Sequence, residues 1–133
     1  FMLDIDWFKK INDGYGHMAG DEILRALAEL LAVEVRTQDY VSRYGGEEFV
    51  IILPETTTDE AIELANRLCE EVARSIFCVN GEQKELKVTV SIGVAGYPLH
   101  GDNLEALLEA ADMAMYAAKD AGRNQVAQAS QNS

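Results

Sequence analysis

Glu47 and Glu48 follow the dipeptide Gly45-Gly46 and lead straight into the apolar run Phe49, Val50, Ile51, Ile52, Leu53. A third acid, Asp4, stands near the end of the apolar opening Phe1 to Ile5. If these two apolar runs are neighbouring strands, the carboxylates converge at one sheet edge and form a site for a hard cation. Mg²⁺ takes oxygen ligands and keeps water or phosphate oxygens in its shell, so one or two carboxylates and a backbone carbonyl suffice from the protein. Glycines beside the acids let a phosphate approach the backbone closely, and the buried run behind them gives a rigid base. The ordinary alternative for an arbitrary Glu-Glu pair is a solvated hairpin tip. Other residues admit both a structural and a chemical reading. Lys119 and Arg123, four apart near the end of the last helix, are favoured there by the macrodipole alone. Arg36 and Asp39 have the spacing of a salt bridge at a helix end. His17 lies between a glycine-rich turn and a helix, where a structural hydrogen-bonding role is the commoner one.

The elements that must position these residues follow from periodicity. Phe1 to Ile5 reads as a strand, and Trp7 to Asp13 as a short helical turn with Asp6 as its N-cap. From about Gly20, the residues Ile23, Leu24, Leu27, Leu30 and Leu31 mark one face of a helix fading near Arg36. Tyr40 to Tyr44 and Phe49 to Leu53 are predicted as two strands of a hairpin, with Gly45-Gly46 supplying positive φ. Thr57 and Glu60 have capping-box spacing at the start of a helix carrying Ala61, Leu64, Ala65, Leu68 and Val72. Asn80-Gly81 signals another hairpin, and Leu86 to Val94 alternates as a half-buried strand. A last helix from Leu104 to Ala121, capped by Asp102 or Asn103, stops at Gly122. The order β-α-β-β-α-β-β-α predicts an α/β sandwich with a central, mostly antiparallel sheet flanked by helices. Residues 1–128 form one domain in this reading, and 129–133 a disordered polar tail.

Composition narrows the partners. At 133 residues and 48% hydrophobic content, the chain suits one domain with a real core. Its net charge of −12 argues against nucleic acid, whose readers carry a concentrated basic footprint. No stretch reads as a membrane span or signal peptide, so no direct membrane contact and a cytoplasmic location are expected. Cys69 and Cys78 lack metal or disulfide spacing and read as buried free thiols.

Four ordered blocks, "LDIDWFKKINDGYGHMAGDEIL", "RYGGEEFVIILP", "VTVSIGVA" and "ADMAMYAAKDAGRN", resemble the GGDEF domain of diguanylate cyclases over nearly the whole chain. That family belongs to bacterial second-messenger signalling. The resemblance implies a fold similar to the adenylyl cyclase catalytic domain and the polymerase palm. It implies condensation of two GTP into cyclic di-GMP, with release of pyrophosphate, across a homodimer of half-sites. Asp4, the Ile5 carbonyl and Glu47 would hold two Mg²⁺ or Mn²⁺ ions. Glu47, with Glu48 and Lys9, would serve catalysis. Phe8, Lys9, Gly45, Gly46, Lys119 and Arg123 would surround the phosphates, and Asn12 and Asp21 would read guanine. Arg36, Asp39 and Arg67 match an inhibitory product site. Family members normally open with a helix ahead of the first strand. The chain is therefore expected to be a fragment lacking that N-terminal helix, with weakened or lost activity. The alternative implied is a module that senses GTP or cyclic di-GMP without turnover.

Overall fold

In the first strand, Leu3 and Ile5 point to one side of the sheet and Met2 and Asp4 to the other, because side chains alternate along a strand. That alternation organises the computed structural model, which describes residues 1–81 and 84–130. The elements are β1 (Met2–Ile5), α1 (Phe8–Tyr15), α2 (His17–Glu34), β2 (Tyr40–Arg43), β3 (Glu48–Ile52) and α3 (Thr58–Arg74). There follow β4 (Phe77–Val79), β5 (Lys84–Leu86), β6 (Val90–Val94), α4 (Leu104–Asp120) and β7 (Gln125–Gln128). Five strands form one sheet in the order β2-β3-β1-β6-β7, and β4 and β5 form a separate ribbon. Every pairing in the main sheet is antiparallel except β6 with β7. The predicted sandwich and its mostly antiparallel sheet are therefore observed.

Leu3, Ile5, Phe49, Ile51, Val90 and Ile92 join the larger core with Ile23, Leu27, Leu31, Leu68 and Val72 of α2 and α3. On the opposite face Met2 and Val50 pack against Ala111 and Met115 of α4. Gly93 permits that close approach, since a Cβ there would lie 2.0 Å from the Ala111 carbonyl oxygen. The capping box of Thr57 and Glu60 forms as predicted, and the Asn103 side chain accepts from the Ala106 amide at the start of α4.

Several expectations are corrected. Asp6 does not cap α1: the cap position falls on Trp7, at φ 60° and without a side-chain hydrogen bond. Helix α2 starts earlier than expected, at His17, directly after Gly16 at φ 91°. Gly45 and Gly46 do not adopt positive φ, because residues 44–47 form a wider loop than a two-residue turn. The expected half-buried strand Leu86 to Val94 is two strands, and β6 is buried at all five positions because helices cover both of its faces. Cys69 is buried, but Cys78 is exposed on the outward side of β4, the middle position of a strand whose two ends are buried. Ala129, assigned to the tail, is buried and its amide donates to the Val94 carbonyl at 2.8 Å; residues 131–133 of that tail lie outside the described residues. Among the described residues no helix is long and apolar enough to cross a membrane.

Candidate active site

The carboxylates meet where β1 ends and β3 begins. Asp4 and Glu48 are directly opposite in the antiparallel register, so both point to the α4 face. Glu47, one residue earlier, lines a cleft on the other face, and its carbonyl accepts from the Ile5 amide at 3.3 Å. The register thus sets the expected acids astride the sheet edge rather than on one side of it.

Asp4 is 5% exposed. Lys119 Nζ stands 3.1 Å from its Oδ1, outside hydrogen-bond geometry, so Oδ1 is buried with no hydrogen-bond partner among the described residues. Burial pushes the Asp4 carboxyl up from 3.8 to about 6; the Lys119 ammonium pulls against that shift, and Glu47 and Glu48 add to it. Glu48 is also raised, first by burial and then by Asp112 and Glu47. Burial is thus the main reason both carboxylates resist ionising, with mutual repulsion a smaller addition that Lys119 only partly offsets.

The cleft, about 460 Å³, is lined by Phe8, Lys9, Asn12, His17, Asp21, Leu24, Arg43, Gly46 and Glu47. Asn12 packs closely against Gly20, where a Cβ would lie 2.0 Å from Asn12 Oδ1. That oxygen is buried and unpartnered, which leaves the amide nitrogen as the end of Asn12 available to donate. Nothing lies within 4 Å of where a Gly46 Cβ would stand, so internal packing does not demand glycine there. Space over a backbone is what an approaching ligand needs.

Lys119 and Arg123 lie on the other side of the edge. The Arg123 guanidinium stacks 3.9 Å from the centroid of the Trp7 ring, and its Nε is buried without a hydrogen-bond partner. Sequence reasoning missed Trp7, and also Arg43, whose guanidinium donates to the carbonyls of Gly45 (3.2 Å) and Gly46 (3.1 and 2.7 Å). Arg43 thereby holds a tip that its glycines would leave loose. Only its place just before the glycines hinted at this. Asp112, which acts on Glu48 from α4, left no local signal.

The residues fit a hard cation. A buried carboxylate oxygen without a hydrogen bond beside two further acids is what such an ion satisfies. Among the described residues no three His, Cys, Asp or Glu side chains group as a metal cage; two carboxylates and a carbonyl are a smaller set that leaves room for phosphate oxygens.

Arg36, Asp39 and Arg67 share a separate recess of about 200 Å³ with Glu34, Thr56 and Glu60. Arg36 Nη2 stands 3.1 Å from Asp39 Oδ1 and donates to the Pro54 carbonyl at 2.9 Å and to the Thr56 hydroxyl. Arg67 pairs with Glu34 at 3.2 Å. The salt-bridge geometry is thus present, in a recess that could also admit a ligand. An apolar hollow of about 400 Å³ beside Phe1, Leu53, Leu107 and Leu108 has no Lys, Arg or His in its lining and cannot serve a triphosphate.

A mostly antiparallel sheet with acids at the end of its central strand and helices on both faces defines a palm-like α/β domain. The family described as diguanylate cyclase, GGDEF domain, matches residues 1–125, and the chain belongs to that family. It is 50% identical over 125 residues to the response regulator PleD of Caulobacter vibrioides, covering 94% of this chain and 28% of that protein. The chain thus spans under a third of that relative's length. Among solved structures, the GGDEF domain of PA1120 (YfiN or TpbB) from Pseudomonas aeruginosa superposes with a TM-score of 0.92 at 36% identity, covering 98% of this chain and 81% of that one. The GGDEF domain of DgcB from Caulobacter crescentus, solved in complex with c-di-GMP, does so at 0.87 and 33% identity, covering 96% and 74%.

Proposed function

We propose that this chain is the catalytic module of a diguanylate cyclase, joining two GTP into cyclic di-GMP with release of two pyrophosphates. The observation that carries the reading is Asp4: a buried carboxylate whose pKa stays raised to about 6 despite the Lys119 ammonium 3.1 Å away, just across the sheet edge from Glu47, which lines the cleft of about 460 Å³. Asp4, the Ile5 carbonyl and Glu47 would hold two Mg²⁺ or Mn²⁺ ions. When bound, such ions would supply positive charge that lowers the cost of attack at the α-phosphate.

The chain's own residues do the rest. Asn12 donates to guanine O6, and Asp21 accepts from N1 and N2; adenine would leave that carboxylate unpaired. Phe8 walls the cleft, while Gly45 and Gly46 leave their backbone open to phosphate. Lys9, Lys119 and Arg123 balance the triphosphate's charge, so a chain of net charge −12 can hold an anion through local cations. In its resting state Lys119 pairs with Asp4, and occupation of the site would free it for phosphate. Glu47, assisted by Glu48, takes the proton of the 3′-hydroxyl as its oxygen bonds to the partner's α-phosphorus and pyrophosphate departs. Each chain binds one GTP, so two copies must face each other, and turnover belongs to the dimer. The reaction is placed in the cytoplasm, where GTP is supplied. The recess of Arg36, Asp39 and Arg67 would bind product and restrain synthesis, with the arginines facing phosphate and guanine edges.

Incubation with GTP and Mg²⁺, followed by chromatographic separation of nucleotides, tests the reading. Cyclic di-GMP is expected together with two pyrophosphates for each molecule formed. Binding of GTP without either product would leave a sensor in place of an enzyme.

A further inference from the structure

Asp6 follows the metal-binding segment directly, yet no role in the reaction has been given to it. It is 2% exposed and accepts three hydrogen bonds: from the Thr89 hydroxyl at 2.7 Å, the Ser91 hydroxyl at 2.7 Å and the Asn124 amide at 3.0 Å. Its own amide donates to the Thr89 carbonyl at 2.9 Å. One carboxylate therefore ties the end of β1 to β6 and to the turn between α4 and β7.

Backbone strain gathers around it. The non-glycine residues at positive φ include Trp7 at 60°, Arg123 at 64° and Asn124 at 48°. Such conformations are strained and persist only where surrounding structure holds them. Asp6 holds both corners, one by adjacency and one by the bond to the Asn124 amide. The result is that Trp7 and Arg123 stack, with Arg123 Nε buried and unpartnered. A guanidinium N–H in that condition awaits an anion.

We infer that Asp6 is a positioning residue: it fixes the left-handed Arg123-Asn124 turn so that Arg123, braced on Trp7, meets the nucleotide's terminal phosphates. The inference rests on the cyclase reading for its ligand, but the link from Asp6 to the Trp7–Arg123 stack stands apart from it. Trp7 is the chain's only tryptophan, and Lys10 Nζ also lies 4.5 Å from its ring centroid, so the Arg123→Ala variant calibrates the part of its emission that belongs to the Arg123 stack.

The test compares wild type, Asp6→Asn, Asp6→Ala, Ser91→Ala and Arg123→Ala by Trp7 fluorescence, and by titration with GTP and with guanosine in the presence of Mg²⁺. Asp6→Ala removes the acceptor from three donors, and its emission is expected to move to that of Arg123→Ala. Asp6→Asn, which keeps one acceptor oxygen and the side-chain size, should lie between them, and it serves if the alanine variant does not fold. Ser91→Ala leaves the Asn124 bond in place and should resemble wild type. Asp6→Ala should weaken GTP by about 10- to 100-fold, the loss of one charge-assisted contact, while guanosine binding changes less than about twofold on the same argument. Equal weakening of GTP and guanosine would mean a general structural role and overturn the inference, as would wild-type emission in both Asp6 variants. If wild type bound no GTP while the emission shifts followed Asp6 as described, the cyclase reading would fall and the positioning link would remain.

Discussion

Replacing Asp4 by asparagine should stabilise the metal-free domain while abolishing its chemistry. The Asp4 carboxyl sits at about 6 in the folded chain against 3.8 ordinarily, a rise of about two units worth roughly 3 kcal/mol. The native state thus holds its proton more tightly than the unfolded chain. Between about pH 4 and pH 6 the native state carries the extra proton, so stability falls as pH rises through that window, and the full cost is present at pH 8. Asparagine mimics the protonated acid in shape and charge. The attraction to Lys119 needs no separate allowance, since it already moderates the shift of Asp4. Urea unfolding in the presence of a chelator should therefore show Asp4→Asn more stable by about 2–3 kcal/mol at pH 8, with the two proteins converging near pH 4. For a chain of this length that corresponds to a rise in Tm of about 8–10 °C. Adding Mg²⁺ should raise the Tm of wild type alone, by mass action on the folded state. Parallel pH profiles, or a variant less stable than wild type at pH 8, would refute the claim that Asp4 is an under-compensated buried charge.

Glu47→Gln removes a carboxylate without changing its size; turnover of GTP should fall by about 100-fold or more, while the thermal midpoint stays near that of wild type. Asp21→Asn replaces an acceptor of both guanine donors by an amide, and the preference for GTP over ATP should drop by about tenfold or more in competitive binding. Arg36→Ala should weaken cyclic di-GMP by about tenfold or more in calorimetry and leave initial GTP turnover intact. Equal product affinity in both proteins would reduce Arg36 and Asp39 to the salt bridge already seen between them.

Much of the site and several elements could be read from local order. The Thr57–Glu60 box, the Asn103 cap and the hairpin of β2 and β3 depend on residues three to twelve apart, and short-range spacing reports those directly. The amphipathic faces of α2 and α3 were legible for the same reason. Blocks such as Arg43 to Phe49 carried the family, and with it Asn12, Asp21 and Glu47, which the structure does gather in one cleft.

Tertiary structure decided what pairing alone can set. Periodicity says that Asp4, Glu47 and Glu48 end strands; only the Asp4–Glu48 register puts two of them toward α4 and leaves Glu47 to the cleft. It cannot foresee that β6 is covered on both faces, or that Gly93 is the gap through which α4 reaches the sheet. Asp6 is the sharpest case. From its neighbours it is a helix cap, but its partners Ser91 and Asn124 lie 85 and 118 residues away. A short polar side chain takes whichever donors the fold brings to it, and burial makes those bonds obligatory. Local sequence therefore set the side chain's chemistry, and the long-range pairing of β1 with β6, with the turn before β7 folded against both, set its use.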